Sequence, residues 1–343
     1  MPESIPIDMV FTYVDGGDPE HRIKRDLYAD RHSAEELNFD REPGKSIDML
    51  YTNVGEITYS VRSVLKYLPW IRTVYIVTDQ QTPPVDQHFI DSGRVRIVDH
   101  TDLIPSEYLP TFNSVAIESC LHRIEGLSEI FLYNNDDCLH FSPVTQSMLY
   151  SIDGTGTISL MLYSYWASVH HLQHIISDLL PKSWFNINAH AMSISNASAQ
   201  LIRHYQDLKW LDIIVPVHMT FIIRKRTAFR LENELSDALH TCRLHRFRTR
   251  GMLSYATMLY TVEKKWHTTS SGLKLYGGGV KKLHHAFNFV RSHSVLESRA
   301  VWQKVVCSSA PFVCLNNMKS FEYGTFISVM REKGLGEPIV HQI

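Results

Sequence analysis

Two adjacent carboxylates follow a short apolar segment near the middle of the chain. Ile130 to Tyr133 has the length and composition of a buried β-strand, and Asn135, Asp136 and Asp137 stand where that strand should end. In open α/β sheets, ligands bind at the carboxyl ends of the strands. Neighbouring carboxylates repel each other unless a proton or cation lies between them, and oxygen ligands suit Mg²⁺ or Mn²⁺. The segment therefore indicates a cation site, whereas an isolated Asn-Asp-Asp would more simply be a polar turn.

Polar residues also follow other apolar segments. Asp15 follows one near the N-terminus, His218 follows one in the second half, and Asn316 follows one near the C-terminus. If these segments are strands of one sheet, their ends can converge on one cleft, and only that convergence would make a site. Carboxylates with a cation on one side and arginines on the other would suit a phosphorylated substrate. The Lys/Arg-rich segment 224–250 is either an anion-binding wall or a solvated helix face.

The elements that would position these residues alternate between strand and helix in the first half. Strands are predicted at 7–14, 73–78, 95–98 and 130–133, and helices at 56–68 and from 114 to about 125. This alternation predicts an α/β fold with a Rossmann-like, largely parallel sheet. In the second half we predict strands at 158–163, 213–217 and 312–315, and helices at 189–205, from 221 into the 230s, at 253–264 and up to about 332. We expect one compact unit over 1–343 with a helical insertion at 165–300.

Composition excludes several classes of protein. A chain of 343 residues with net charge −2 and 44% hydrophobic residues is expected to be globular, and to bind no nucleic acid. No apolar run approaches the roughly 18–20 residues that span a bilayer, and the N-terminus lacks signal-peptide features. A cytoplasmic location is the expectation. The five cysteines are scattered without C-x-x-C spacing, which favours buried thiols over a disulfide framework or a zinc site.

Four segments, in order along the chain, resemble the sequence blocks of the Stealth family of sugar-1-phosphate transferases. They are 7–16 (IDMVFTYVDG), 55–63 (GEITYSVRS) continuing through 109–114 (LPTFNS) to 135–137, then 217–220 (VHMT) with 245–248 (HRFR), and 312–317 (FVCLNN). That family includes bacterial capsule polymerases and the catalytic subunit of the N-acetylglucosamine-1-phosphotransferase. The chain departs from the family pattern at Tyr13, where Trp is usual, at Thr220, where Pro is common, and at Asn317, where Asp is usual. The Arg and Asp that often precede the second block are also not recognisable.

The resemblance implies transfer of a hexose-1-phosphate, with an N-acetylhexosamine as the expected sugar, from a UDP-sugar to a glycan hydroxyl. UMP would be released, and the reaction would serve capsule or exopolysaccharide synthesis. It implies Mg²⁺ or Mn²⁺ on Asp136 and Asp137. It further implies catalytic roles for Asp15, Arg62, His218, His245 and Arg248, and substrate binding by Asp8, Glu56, Asn113, Glu118, His122, Asn135 and Asn316. Peripheral association with a capsule assembly complex at the inner face of the membrane would fit this role.

The resemblance also implies individual roles, which the chemistry of the side chains suits. Arg62 and Arg248 would neutralise charge on phosphate oxygens, and His245, or alternatively Asp15, would take the acceptor proton. Simpler readings stay open: Arg62 could pair with a carboxylate at a helix surface, and Glu118 could form an i,i+4 pair with His122. Two rival functions also stay open. One is a metal-dependent glycosyltransferase that releases UDP, and the other is a non-catalytic relative that binds a sugar nucleotide.

Overall fold

A computed structural model describes residues 5–29, 55–152, 158–166, 189–267, 274–276, 287–289, 302, 306, 311–315 and 322–339. The strands are β1 (Ile7–Thr12), β2 (Val74–Thr78), β3 (Val95–Asp99), β4 (Ile130–Asn135), β5 (Cys138–His140), β6 (Tyr150–Ile152), β7 (Ile158–Trp166), β8 (Ile214–Pro216), β9 (Phe221–Arg224), β10 (Lys274–Tyr276), β11 (Phe287–Phe289) and β12 (Phe312–Cys314). The helices are α1 (Pro19–Ala29), α2 (Glu56–Tyr67), α3 (Gln87–Asp91), α4 (Ser114–Glu118), α5 (Ala189–His204), α6 (Lys225–Glu234), α7 (Ser236–Leu244), α8 (Tyr255–His267) and α9 (Tyr323–Glu332).

The central sheet has five strands in the order β3-β2-β1-β4-β9. The first four are parallel and β9 is antiparallel to β4, so the predicted α/β fold with a largely parallel, Rossmann-like sheet is confirmed. Strand β2 is buried throughout, and β1 and β4 are buried up to their last residue, as expected when both faces of a parallel sheet are covered. In the register, Thr12 of β1 lies beside Asn135 of β4 and Val77 of β2. The carboxyl ends of these three strands therefore meet at one edge.

Two smaller sheets flank the central one. Strand β12 pairs antiparallel with β5 and parallel with β11, and β7 pairs with β6, β8 and β10. Because β5 begins three residues after β4 ends, the β4–β5 turn joins the central sheet to the sheet that contains β12. The C-terminal apolar strand predicted at 312–315 therefore reaches the carboxyl edge through β5.

Two predicted helices were wrong in extent. The helix predicted from Phe221 begins only at Lys225, because the preceding apolar residues form β9 against the edge of β4; a short apolar run does not distinguish strand from helix by itself. The helix predicted from Ser114 to about 125 stops at Glu118. Arg243 donates to the Ser119 carbonyl oxygen over 2.8 Å, so it occupies the acceptor that the next helical turn would use.

No helix within the described parts of the chain is long and apolar enough to cross a membrane. Three consecutive glycines at 277–279 indicate a flexible loop, and this segment lies outside the described residues. The single unit over 1–343 and the helical insertion at 165–300 stay predictions.

Candidate active site at the carboxyl edge of the sheet

The turn between β4 and β5 presents the two adjacent carboxylates. Asp136 and Asp137 follow the last residue of β4, and their main chain is held from two sides. The Ser60 hydroxyl on α2 donates to the Asp136 carbonyl oxygen over 2.5 Å, and the Leu315 amide donates to the Asp137 carbonyl oxygen over 3.0 Å. The turn is therefore anchored to both a helix and a neighbouring strand, unlike a simple polar turn.

Three carboxylates influence one another at this turn. Burial raises the pKa of Asp136 well above its ordinary value, and the negative charges of Asp137 and Glu56 raise it further. Glu56 is the first residue of α2, whose N-terminal end therefore points toward the turn. A group of carboxylates whose charges oppose one another is the environment that a hard divalent cation relieves, so the residues present fit the Mg²⁺ or Mn²⁺ predicted from the sequence.

His218 lies beside the same turn. It follows β8, and Asp137 is close enough that its charge acts on the imidazole. Burial alone would lower the pKa of His218, but its interaction with Cys314 and the charges of Asp137 and Glu118 raise it to about 9. The structure thus brings the predicted His218 to the predicted carboxylates.

Glu118 and Arg248 extend the cluster that Glu56, Asp136, Asp137 and His218 form. Burial raises the pKa of Glu118 to about 7, and the charges of Arg248 and His218 oppose that rise only in part. Arg248 donates to the Ser114 hydroxyl over 2.9 Å, which places its guanidinium beside α4. The charges of Glu56 and Asp137 thus act on Asp136, those of Asp137 and Glu118 act on His218, and those of His218 and Arg248 act on Glu118.

Tyr133 connects Glu118 to the ends of β1 and β4. Its hydroxyl lies 2.7 Å from Asn135 Oδ1, 3.2 Å from Thr12 Oγ1 and 3.4 Å from Glu118 Oε1. Burial, followed by the charge of Glu118, raises the pKa of Tyr133 well above its ordinary value, so the phenol stays protonated and can donate. A small, largely apolar cavity adjoins this group and is lined in part by Tyr255.

Asn113 holds the segment that carries His245 and Arg248. As the N-cap of α4 it accepts from the Val115 amide over 3.1 Å, and its side-chain amide donates to the carbonyl oxygens of Cys242 and His245 over 3.3 and 3.2 Å. Phe112 and Phe247 stack with ring centroids 5.1 Å apart. These contacts fix the backbone of the 245–248 segment against the start of α4.

The sequence is similar to a known protein family and to several proteins with assigned names. Residues 50–158 match the family model described as Stealth protein CR2, conserved region 2. A capsular polysaccharide phosphotransferase of Actinobacillus pleuropneumoniae is 32% identical over 257 residues, which cover 74% of this chain and 62% of the relative. A receptor polysaccharide phosphotransferase of Streptococcus oralis is 40% identical over 149 residues, 43% of this chain and 42% of the relative. An exopolysaccharide phosphotransferase of Streptomyces coelicolor is 42% identical over 159 residues, 45% of this chain and 25% of the relative.

The chain belongs to the Stealth family. It spans 62–64% of the length of the capsular relatives that it matches over 74% of its own. The matched Stealth region begins six residues before α2 and ends at the first residue of β7, so it contains Glu56, Glu118 and the β4–β5 turn.

The predicted residue Asp8 lies elsewhere in this Stealth chain. It is the second residue of β1 and fully buried near the amino end of the sheet. Its carboxylate accepts from Nε and Nη2 of Arg72 over 2.9 and 2.5 Å. It also accepts from the amides of Ser128 and Thr73 over 2.8 and 3.2 Å. This geometry favours a structural role for Asp8 over the substrate contact predicted from the sequence.

Arg62 is the second predicted residue that the structure places away from the cluster. Its guanidinium donates to both Asp86 oxygens over 2.7 and 2.8 Å, and to the carbonyl oxygens of Leu335 and Glu337. The hydrogen bond with Asp86 raises the pKa of Arg62 and lowers that of Asp86. The simpler alternative, a pair with a carboxylate at a helix surface, describes this arrangement, and the phosphate contact stays a prediction.

His122 also contacts residues outside the cluster. Because α4 ends at Glu118, the proposed i,i+4 pair has no helix to form on. His122 instead lies 2.9 Å from Glu232, a carboxylate that also accepts from Arg123 and Arg243 over 2.6 Å each. Burial lowers the pKa of His122, with Glu232 acting against that change. This buried ionic group joins α6, α7 and the turn after α4, which favours a structural role.

Asp15 and Asn316 complete the predicted set. Asp15 follows β1, where its main chain exchanges two hydrogen bonds of 2.8 Å with the Gln81 side chain, and its Oδ1 accepts from the Gly17 amide over 2.9 Å. It therefore belongs to the loop at the carboxyl end of β1. Asn316 lies outside the described residues, as does Asn317.

Sequence reasoning missed three residues of this site: Tyr133, Cys138 and Cys314. Tyr133 was read only as part of an apolar strand, although strand alternation puts it on the same face as Asn135. The two cysteines were read as isolated buried thiols, because 176 positions separate them in the chain. Only the pairing of β5 with β12 brings them together.

Proposed function

We propose that this Stealth chain transfers a hexose-1-phosphate from a UDP-sugar to a hydroxyl group of a glycan acceptor, with an N-acetylhexosamine as the sugar and UMP as the released product. The observation that carries the proposal is the continuous series of interacting groups from Glu56 to Arg248 at the carboxyl edge of the sheet. Carboxylates at one end and a guanidinium at the other suit a diphosphate. The names of the relatives, which are polysaccharide phosphotransferases, support the same reaction class.

In the proposed reaction the acceptor oxygen attacks the β-phosphorus of the donor. A new bond forms between that oxygen and the β-phosphorus, and the bond from the β-phosphorus to the bridging oxygen breaks. The bridging oxygen leaves with the α-phosphate as UMP, and the acceptor proton passes to a base. The bond between C1 of the sugar and its oxygen stays intact, so the anomeric configuration is retained.

Asp136, with Glu56 and one oxygen of Asp137, would hold the Mg²⁺ or Mn²⁺ ion. When bound, such an ion neutralises charge on diphosphate oxygens and orients them. The structural support is that burial, and then the negative charges of Asp137 and Glu56, raise the pKa of Asp136.

Arg248 would stabilise the negative charge that develops on the transferred phosphate, because a guanidinium presents several donors in a rigid fork. Its hydrogen bond to Ser114 and the nearby charge of Glu118 orient it. His245, on the segment fixed by Asn113, is the first candidate for the base, and Asp15 is the alternative. His218 and Tyr133 would orient Glu118 and the ends of the strands.

The acceptor in this proposal is a capsule or exopolysaccharide chain. The reaction would take place on the cytoplasmic side of the membrane, with peripheral association with a capsule assembly complex. Cosedimentation of the protein with inner-membrane vesicles that contain or lack that complex would test the association.

The reaction is tested by incubating the protein with a panel of UDP-sugars, Mg²⁺ and a polysaccharide acceptor, and separating UMP from UDP by chromatography. We expect UMP, which should disappear with EDTA. Asp136→Asn should raise the Mg²⁺ concentration needed for half-maximal rate by about tenfold or more. Asp91→Asn, a change at the exposed end of α3, is the matched control and should leave that concentration unchanged.

Each alternative outcome contradicts the proposal in a different way. UDP as the product would indicate glycosyl transfer. Tight binding of a UDP-sugar without turnover in any acceptor mixture would indicate a non-catalytic relative. UMP production that is unaffected by EDTA would overturn the cation's role while leaving the reaction class in place.

A further inference from the structure

We infer that Asp137, Cys138, His218 and Cys314 form a binding site for a thiophilic divalent metal ion, with Zn²⁺ as the best match, which adjoins the magnesium site proposed above and shares Asp137 with it. Each of the four residues offers one ligand atom, and these atoms all lie within 4.8 Å of one another. Both cysteines are free thiols and buried, and the other two residues are half-buried. The inference does not depend on the proposed reaction.

Two separations between these ligand atoms are close to those of a tetrahedral zinc centre. Cys138 Sγ lies 3.6 Å from Asp137 Oδ1, and Cys314 Sγ lies 3.5 Å from Asp137 Oδ2. With zinc–sulfur bonds of about 2.3 Å and zinc–oxygen bonds of about 2.0–2.2 Å, tetrahedral geometry puts sulfur and oxygen about 3.5 Å apart. A ring nitrogen of His218 lies within 4.8 Å of both sulfur atoms and of an Asp137 oxygen. Small side-chain rotations would bring the four atoms onto one ion.

The sheet itself holds the two sulfur atoms together. Cys138 of β5 is directly opposite Cys314 of β12. Since the Leu315 amide donates to the Asp137 carbonyl oxygen, the neighbouring pair 315–137 is hydrogen-bonded and the cysteines form a non-hydrogen-bonded pair. Side chains of such pairs stand closest in an antiparallel ladder. The backbone therefore places both thiols on the same face before any metal binds.

The donor set indicates which metal would bind. Two sulfur atoms and an imidazole are soft or borderline ligands that select zinc over magnesium, and four protein ligands leave no open position. Such a closed set is typical of a structural ion. Here it would join β5, β12 and the segment after β8, and would fix Asp137 and His218 at the candidate active site.

Asp137 can serve both ions, because a carboxylate has two oxygens. Each oxygen lies near one sulfur atom, Oδ1 near Cys138 and Oδ2 near Cys314, and a rotation of the carboxylate would keep one oxygen on the zinc and turn the other toward Asp136 and Glu56. Glu118 also lies near enough to act on His218, as expected of the carboxylate that often orients a metal-bound histidine. The prediction from the sequence was buried thiols with no zinc site, and the strand pairing changes that interpretation.

The test measures metal binding alone, with no donor or acceptor present. The purified, reduced chain is stripped with a chelator and titrated with Zn²⁺ against a chromophoric chelator, and separately with Co²⁺ to record thiolate-to-cobalt absorption. We expect about one tightly bound zinc per chain and thiolate–cobalt bands. Cys138→Ser and His218→Gln should each weaken zinc binding by at least about tenfold.

Cys120→Ser is the matched control, because Cys120 is a buried free thiol outside the cluster and should keep full zinc binding. His218→Gln keeps both thiols, so it tests the site even if Cys138→Ser fails to fold. A folded, reduced wild-type chain that binds no zinc would overturn the inference. A Cys138–Cys314 disulfide in the freshly purified protein, detected by mass spectrometry, would overturn it too. Since no UDP-sugar is used, failure of the proposed reaction would leave these results unaffected.

Discussion

At the scale of single residues, Glu118 shows what the sequence predicts about a site residue and what it does not. Its position and type are visible in the sequence, but the partner expected there, His122, depends on an uninterrupted helix. Arg243 takes the Ser119 carbonyl oxygen, the helix ends, and Glu118 interacts with Tyr133, His218 and Arg248 instead. The residue that decides this lies 125 positions further along the chain. Local spacing therefore identifies the candidate residue and leaves its partner undetermined.

Arg248→Lys tests the guanidinium at the end of the cluster. Lysine keeps the positive charge but loses the planar fork of donors, so stabilisation of the phosphate charge should drop. We expect the rate of UMP release to fall by about a hundredfold, with donor binding changed much less. Arg250→Lys, at an exposed position two residues away, should keep the wild-type rate. Equal rates for wild type and Arg248→Lys would exclude the assigned role.

Tyr133→Phe tests the hydroxyl between Glu118 and Asn135. The change removes one hydroxyl and leaves the ring that packs against Phe221. Loss of a buried hydrogen bond with its partners left in place should cost about 1–3 kcal/mol of stability, and turnover should drop by about tenfold. Thermal unfolding and the UMP assay measure the two effects. Full turnover in a destabilised variant would limit Tyr133 to packing.

At the scale of elements, apolar patterning predicted most of the strands and failed where a run was short. The strands at the edge that carries the site were found because β1, β2 and β4 are nearly continuous apolar runs. Strand β9 was missed because its four residues could extend the helix that follows. The pairing of β5 with β12 could not be predicted, since nothing local specifies which strand lies beside three residues such as Cys138–His140.

The Asn113 side chain connects the start of α4 to the 242–248 segment through hydrogen bonds. Asn113→Ala removes the cap of α4 and both amide hydrogen bonds, so we expect a loss of about 2–3 kcal/mol in the free energy of unfolding. Because the backbone of His245 moves with this contact, turnover per folded molecule should also fall. Asn196→Ala is the control, as Asn196 holds the carbonyl oxygens of Arg250 and Met252 in a similar way. If both variants keep full turnover, Asn113 has no positioning role.

At the scale of the whole molecule, stability and function lie at opposite ends of the central sheet. Asp8 ties Arg72, Thr73 and Ser128 together near the amino ends of the strands, and the candidate site lies at the carboxyl ends. Asp8→Asn should cost about 2–4 kcal/mol, because it leaves Arg72 without its carboxylate and places an amide against backbone donors. Turnover per folded molecule should be unchanged, and denaturant titration with the UMP assay checks both. A turnover defect without loss of stability would restore Asp8 as a substrate contact.

Acid should destabilise the fold through buried histidines. Burial lowers the pKa of His100 to about 4, with Asp79 and Asp99 opposing that change. Between about pH 4 and the ordinary value of 6.5, the unfolded chain binds a proton that the folded chain does not, so stability rises with pH across this window and levels off above it. His100→Phe should remove up to about 3 kcal/mol of this dependence. Thermal unfolding at pH 5 and 7.5 measures it, with His190→Gln, at an exposed position, as the control. An unchanged dependence in His100→Phe would contradict the assignment.

In the proposed reaction, the bond between the β-phosphorus and the oxygen that bridges the two phosphates breaks. The sugar keeps the oxygen on its C1. The most direct measurement uses a UDP-sugar labelled with ¹⁸O between C1 and the β-phosphorus, followed by mass spectrometry of the nucleotide and of the modified glycan. We expect unlabelled UMP and a glycan that carries the label in a new phosphodiester. Labelled UDP with an unlabelled glycan would contradict it, because the carbon–oxygen bond would then have broken.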